Sequence, residues 1–133
     1  MPIGKFLDPK TDIAFKRIFG TEKNKDILID FLNDVLQKSG NSWIVDLEYL
    51  PTIQDPAIAI FKTSVVDILC RDKAGIKYII EMQVTKTEGF ERRAQLYAAK
   101  AYCSQIRKGG DYADLKEVIF LALESYKDIF KVK

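Results

Sequence analysis

The chain has 133 residues, 47% of them hydrophobic, which fits one globular domain with its own hydrophobic core. Its 21 lysines and arginines against 19 aspartates and glutamates give a net charge of +2, which permits contact with nucleic acid without requiring it. The sequence contains no histidine. This excludes Ser/His and Cys/His catalysis and zinc sites built from histidine.

The cysteine content and hydropathy indicate a reducing, membrane-free environment. Cys70 and Cys103 are too few for a disulfide scaffold and lack the paired spacing of metal ligands. We therefore expect both to be reduced, buried thiols in a cytoplasmic protein. No stretch reaches ~18 consecutive apolar residues, and the N-terminus lacks a long apolar region. Neither a membrane span nor a signal peptide is expected.

Two helices are predicted at the start of the chain. Asp8 followed by Pro9 is typical of a helix start, and it predicts a short helix over residues 9–19. Thr21 is predicted to cap a second helix, in which apolar residues repeat at helical spacing before Ser39 and Gly40 end it.

Three strands are predicted in the middle of the chain. Residues 43–50 form the first. Residues 64–71 and 76–84 are two apolar runs separated by the turn sequence DKAG, in which Gly75 supplies a positive φ. The two runs are therefore predicted to pair as an antiparallel hairpin.

A long helix and a last strand complete the predicted fold. The helix covers residues 88–108, and residues 118–123 form a strand buried on both faces. Because a helix connects them, this strand is expected to lie parallel to residues 77–84. The fold class is α/β, with a mixed sheet flanked by helices. A polar tail follows the last strand directly, so we expect residues 1–133 to be the N-terminal part of a longer protein.

Polar side chains within the hairpin strands form a candidate metal site. The register places Asp67 opposite Ile80 or Glu81, and the alternation of side chains puts Glu81 and Gln83 on one face. Carboxylate and amide oxygens suit Mg²⁺ or Mn²⁺. The alternative is a sheet edge or end where acidic side chains simply reach solvent.

The long helix carries a candidate nucleic-acid-binding stripe. Arg93, Tyr97, Lys100, Ser104 and Arg107 are spaced by four, three, four and three residues, which keeps them on one side of a helix. Cations in such a row can follow a phosphate backbone. The alternative is an ordinary solvated helix face, but this helix begins directly beyond the strand that carries the acids.

Three segments carry a resemblance to a known family. The order of helix, antiparallel strands, helix and parallel strand resembles the PD-(D/E)XK nuclease superfamily. More closely, LDPKTDIAFKRIFG, SVVDILCRDKAGIKYIIEMQV and GFERRAQLYAAKAYCSQIRKG resemble the Rpn family of recombination-promoting nucleases, also called PD-(D/E)XK family transposases. The resemblance implies a restriction-endonuclease-like core and a Mg²⁺-dependent DNA endonuclease, with Mn²⁺ as an alternative cation.

The resemblance also implies roles for individual residues. Asp67 is the first metal-binding acid, Glu81 the second, and Gln83 stands where a lysine is usual. Five further residues are implied to border the active site: Asp12, Lys16, Arg93, Gln95 and Tyr97. Glutamine offers a dipole and an oxygen instead of a fixed positive charge, so Lys16 is the candidate to orient the attacking water.

Alternatives to a DNA endonuclease stay open at this point. One is a non-catalytic DNA-binding or protein-interaction module that keeps the nuclease fold. Another is an RNA substrate, since nothing in the sequence reads a 2′-hydroxyl. DNA is the expected partner, no membrane is expected, and a homo-oligomer is an open alternative to a monomer.

Overall fold

The computed structural model describes residues 12–54, 64–83, 87–124 and 131–132. The described helices are α1 (Asp12–Phe19), α2 (Lys25–Val35) and α3 (Phe90–Cys103). The described strands are β1 (Leu47–Tyr49), β2 (Ile53–Gln54), β3 (Ser64–Val65), β4 (Ile68–Asp72), β5 (Lys77–Gln83), β6 (Val118–Glu124) and β7 (Lys131–Val132). The start predicted at Asp8 and Pro9 lies outside the described residues.

A mixed sheet with the strand order β1-β4-β5-β6-β7 forms the centre of the fold. Strands β5 and β6 are parallel, as predicted, and the other neighbours are antiparallel. The turn between β4 and β5 is also as predicted, because Gly75 has a φ of 93° and its N–H donates to the Asp72 carbonyl at 3.1 Å. The predicted α/β architecture is confirmed.

The predicted hairpin is interrupted at its open end. Residues 64 and 65 form β3, which pairs with β2 in a separate two-stranded sheet instead of extending β4. The chain changes sheets here because the Val66 N–H donates to the Thr52 carbonyl at 3.0 Å, and the next residue, Asp67, lies in a bend. The strand predicted over residues 64–71 is therefore two shorter strands.

Helices α1 and α2 cover one face of the sheet, which we call the apolar face. Phe15 on α1 and Leu28 on α2 are fully buried there against β-strand side chains that include Ile80 and Leu121. Burial of apolar area at ~25 cal/mol per Å² makes this cluster the main source of stability.

Helix α3 covers the opposite face, which we call the α3 face. Ala101 packs with Leu69 and Ile79, and the Phe90 ring meets the Phe120 ring edge-on at 6.2 Å. At the other end of the helix, the Lys77 ammonium donates to the Ser104 hydroxyl at 3.1 Å. The start of α3 therefore lies near the end of β5, and its C-terminal end lies near the beginning of that strand.

The second helix differs from its prediction at both ends. Thr21 does not cap it, since its hydroxyl donates to the Arg17 carbonyl at 2.9 Å, and one 3₁₀ turn precedes Lys25. The helix ends at Val35, before Ser39 and Gly40, because Gln37 has a φ of 51°. The N–H groups of Gln37 and Lys38 then donate to the carbonyls of Asp34 at 3.2 Å and Asn33 at 2.9 Å, which is a Schellman motif.

The first predicted strand is shorter than residues 43–50. Asn33 binds both main-chain groups of Ile44, donating to its carbonyl at 2.9 Å and accepting from its N–H at 2.8 Å. These bonds anchor Ile44 to α2 instead of a neighbouring strand, so strand geometry begins only at Leu47.

The long helix also stops early, at Cys103 instead of residue 108. The Gln105 side chain donates to the Lys116 carbonyl at 2.7 Å and accepts from its N–H at 2.8 Å, which fixes the chain outside the helix. Cys103 is exposed, so the expectation of a buried thiol is wrong for this residue and right for Cys70.

Candidate active site

Asp67 is fixed at the open end of the hairpin. Its Oδ2 accepts the Met82 N–H at 3.0 Å, so the side chain occupies a place that a main-chain carbonyl of a longer β4 would fill. Ile68 is paired with Ile80, which places Asp67 one step further along, beside Glu81. The sequence predicted either Ile80 or Glu81 opposite Asp67, and the observed register selects Glu81.

Two polar side chains of β5 lie on the α3 face, as their alternation predicted. Glu81 is 6% exposed and Gln83 is 7% exposed. Between them, Met82 points to the apolar face. The register sets Asp67 level with Glu81 at this end of the strand, which is where the sequence predicted the acids and the amide to converge.

A cation from a helix approaches each acid. The Lys16 ammonium on α1 lies 3.6 Å from Asp67 Oδ1, and Arg93 Nη2 on α3 lies 3.5 Å from Glu81 Oε2. Charge-assisted hydrogen bonds of good geometry are about 2.7–2.9 Å long, so both contacts are loose. Each cation offsets part of the negative charge of its carboxylate.

Two aromatic rings on its own helix flank Arg93. Its guanidinium carbon lies 5.1 Å from the centre of the Phe90 ring and 5.8 Å from that of Tyr97. Among the described residues, its Nε has no hydrogen-bond partner. That nitrogen is buried, but the side chain as a whole is 41% exposed, and a guanidinium has five N–H donors, so Arg93 keeps capacity for an anionic ligand at its exposed end while the rings flank it.

The predicted stripe on α3 is not one continuous solvent-facing surface. Lys100 is 6% exposed, and Arg107 lies beyond the end of the helix, where it is exposed. Ser104, just beyond the C-terminal end of α3, accepts a hydrogen bond from Lys77 at the beginning of β5, and Arg107 follows Ser104 in the chain. The end of β5 that carries Glu81 and Gln83 lies ~20 Å from Lys77. The part of the stripe that adjoins Glu81 is its beginning, at Arg93, with Tyr97 beside it.

The two remaining border residues are less closely connected to the site. Gln95 is exposed on α3. Asp12 begins α1, one helical turn before Lys16 as expected, but its side chain lies outside the described residues.

A cavity of about 450 Å³ adjoins Gln83. It lies between the ends of β5 and β6 and the start of α3, and Gln83, Glu124, Gly89 and Phe90 are among its lining residues. Glu124 is 1% exposed and is the register partner of Gln83 on β6. Sequence reasoning missed Glu124, although the parallel alignment of the two strands would have placed it beside Gln83.

The donor atoms of the site fit a hard divalent cation. Across residues 12–54, 64–83, 87–124 and 131–132, no three His, Cys, Asp or Glu side chains form a complete ligand cluster. Mg²⁺ does not require one, because it keeps several waters and is usually held by one or two carboxylates together with substrate phosphates. Asp67, Glu81 and the Gln83 oxygen match that requirement.

Comparison with known proteins identifies the family. The model of the PD-(D/E)XK nuclease family transposases matches residues 9–131, so the chain belongs to this family. Searches among curated proteins and among solved structures gave no match. In the part of the chain that the structure describes, no helix is long and apolar enough to cross a membrane.

Proposed function

We propose that the chain is a Mg²⁺-dependent DNA endonuclease domain of the recombination-promoting, transposase-associated type, which hydrolyses phosphodiester bonds in the cytoplasm. The observation that carries the proposal is that the register sets Asp67 level with Glu81 at the open end of the hairpin, with Lys16 beside the first acid and Arg93 beside the second. Membership of a nuclease-type family supports the same reaction class. Residues 1–133 act as one domain in this proposal.

The acids have the metal-binding role. Asp67 and Glu81 would hold Mg²⁺, or Mn²⁺ in its place, and the cation would supply activation of water and stabilisation of charge on a phosphate. Gln83 supplies an oxygen and a dipole from the adjacent position of the same face. Lys16, at 3.6 Å from Asp67, supplies the positive charge that orients the water.

Arg93 is the main phosphate-binding residue in this proposal. It adjoins Glu81, has donors to spare, and is held in plane by Phe90 and Tyr97. Its partial exposure favours it over the buried Lys100 as a contact for DNA. Arg107 contacts phosphates only on a DNA that extends along the whole of α3.

One observation favours a second candidate function, a DNA-binding module without turnover. Gln83 lacks the fixed positive charge that a lysine would place beside the water. The two candidates predict the same binding surface at Arg93 and differ only in cleavage.

Incubation of supercoiled plasmid DNA with the protein and Mg²⁺, Mn²⁺ or EDTA tests the proposal. We expect nicked or linear DNA with either cation and none with EDTA. Glu48→Gln is the matched control, because Glu48 is an exposed strand carboxylate paired with Arg71 at 2.7 Å, away from the site.

Three results decide between the alternatives. Binding without cleavage under all conditions supports the inactive module, and cleavage that persists in EDTA overturns the metal assignment. A labelled RNA of the same sequence, cut in preference to the DNA, would change the substrate class.

A further inference from the structure

Glu124 is a deeply buried carboxylate that the proposed reaction does not use. It is 1% exposed, and it ends β6 at the position that pairs with Gln83 on the parallel strand β5. In parallel strands, paired residues point to the same face, so Glu124 and Gln83 both lie on the α3 face and line the same cavity. Neighbouring strands are ~4.8 Å apart, which puts the two side chains within reach of each other.

A carboxylate buried this deeply needs hydrogen-bond donors. An ionised carboxylate can only accept, whereas a glutamine amide has an NH₂ group on one side and an oxygen on the other. With its NH₂ group toward Glu124, Gln83 presents its oxygen toward Asp67 and Glu81. The opposite orientation would place the amide oxygen against the Glu124 carboxylate, and both groups are acceptors.

We propose that Glu124 is a positioning residue that accepts a hydrogen bond from the Gln83 amide and turns the Gln83 oxygen toward the metal-binding acids. This inference rests on the proposed function in one respect, that a divalent cation binds at Asp67 and Glu81. It explains how a glutamine can act at a position where a lysine is usual, since the acidic neighbour Glu124 fixes the amide with its oxygen toward the metal-binding acids.

The test compares two substitutions of Glu124 by their effect on Mn²⁺ affinity in the absence of DNA, measured by titration calorimetry. Glu124→Gln keeps an acceptor oxygen, and Glu124→Leu removes it at similar volume. We expect Glu124→Leu to weaken Mn²⁺ binding about 10-fold, because partners of metal ligands are typically worth 10–100-fold in affinity. Glu124→Gln is expected to retain most of the affinity.

A double-mutant cycle separates positioning from a general structural role. In a Gln83→Ala background, Glu124→Leu should have no further effect, since the group it positions is gone. The outcome that contradicts the proposal is an equal loss in both backgrounds, an unchanged affinity in Glu124→Leu, or equal weakening by Glu124→Gln and Glu124→Leu.

A second measurement does not depend on the folding of the leucine variant. The side-chain NH₂ resonances of Gln83, assigned by their loss in Gln83→Ala, should shift in Glu124→Gln relative to the parent. Unchanged resonances overturn the proposal. A parent protein that binds Mn²⁺ without cutting DNA overturns only the proposed function, whereas one that binds no Mn²⁺ overturns the positioning role as well.

Discussion

The last four residues of β5 are similarly buried on the two faces of the sheet but differ in chemistry from one face to the other. Ile80 and Met82, at 0% and 5% exposure, face α1 and α2, while Glu81 and Gln83, at 6% and 7%, face α3. Burial alone therefore does not separate the residues that stabilise this fold from those proposed to act. The contacts on each side separate them. Apolar side chains contact Ile80 and Met82, whereas the Arg93 guanidinium contacts Glu81.

The energetic consequence also differs between the faces. Each apolar side chain on the apolar face lowers the free energy of the folded state, whereas a buried carboxylate loses solvation that its partners in the protein commonly recover only in part. The α3 face is thus expected to hold its polar residues for function at little benefit to stability. The following predictions test that division.

The largest effect is expected on cleavage. Asp67→Asn and Glu81→Gln should each lower the Mg²⁺-dependent cleavage rate by about 1,000-fold or more, since metal stabilisation of the transition state is worth several kcal/mol. Single-turnover assays on plasmid DNA measure this. Full cleavage by either variant would remove its carboxylate from the metal site.

A matched pair on one strand tests stability. Ile80→Ala should lower the free energy of unfolding by about 2–5 kcal/mol, because it leaves a cavity in the apolar face. Glu81→Gln, one residue away, should change it by less than about 1 kcal/mol in the absence of metal. Urea denaturation measures both. A Glu81→Gln loss as large as that of Ile80→Ala would make the α3 face structural.

Gln83 is expected to have an intermediate effect. Gln83→Ala should slow cleavage about 100-fold, the size of one lost electrostatic contact of about 3 kcal/mol. Gln83→Lys should keep or raise activity, since the acids around it can hold an ammonium. Single-turnover rates together with Mn²⁺ titrations measure the set. Parental activity in Gln83→Ala would assign this residue to sheet packing.

The smallest effect concerns DNA affinity along α3. Arg93→Ala should reduce the slope of log affinity against log salt by about 0.9, the value for one phosphate contact. Lys100→Met should leave the slope unchanged, because Lys100 is buried on the same helix. Fluorescence anisotropy at several salt concentrations measures both slopes. An equal change in the two variants would restore the predicted stripe as one phosphate-binding surface.

Apart from the parallel pairing of β5 and β6, the details that the sequence predicted correctly are local. The alternation of Glu81 and Gln83 follows from the period of a strand, and the Gly75 turn follows from a residue that tolerates positive φ. The sequence did not predict the end of α2, because a glutamine, Gln37, adopts the left-handed conformation that glycine usually adopts.

The features that the sequence did not reveal depend on long-range packing. Periodicity places Lys100 on a side of α3 but does not say whether that side meets solvent or protein. Glu124 follows an apolar run and has the pattern of an ordinary strand end. Its proximity to Gln83 depends on a parallel register between strands separated by the whole of α3.

The hydrogen bond from the Met82 N–H to Asp67 links a main-chain amide to the candidate metal site. A cation that draws electron density from this carboxylate weakens it as an acceptor, and the amide then exchanges its proton with solvent more readily. Met82 also packs in the core on the opposite side of the sheet. Isotope exchange at the Met82 amide would therefore record the binding of a cation at Asp67.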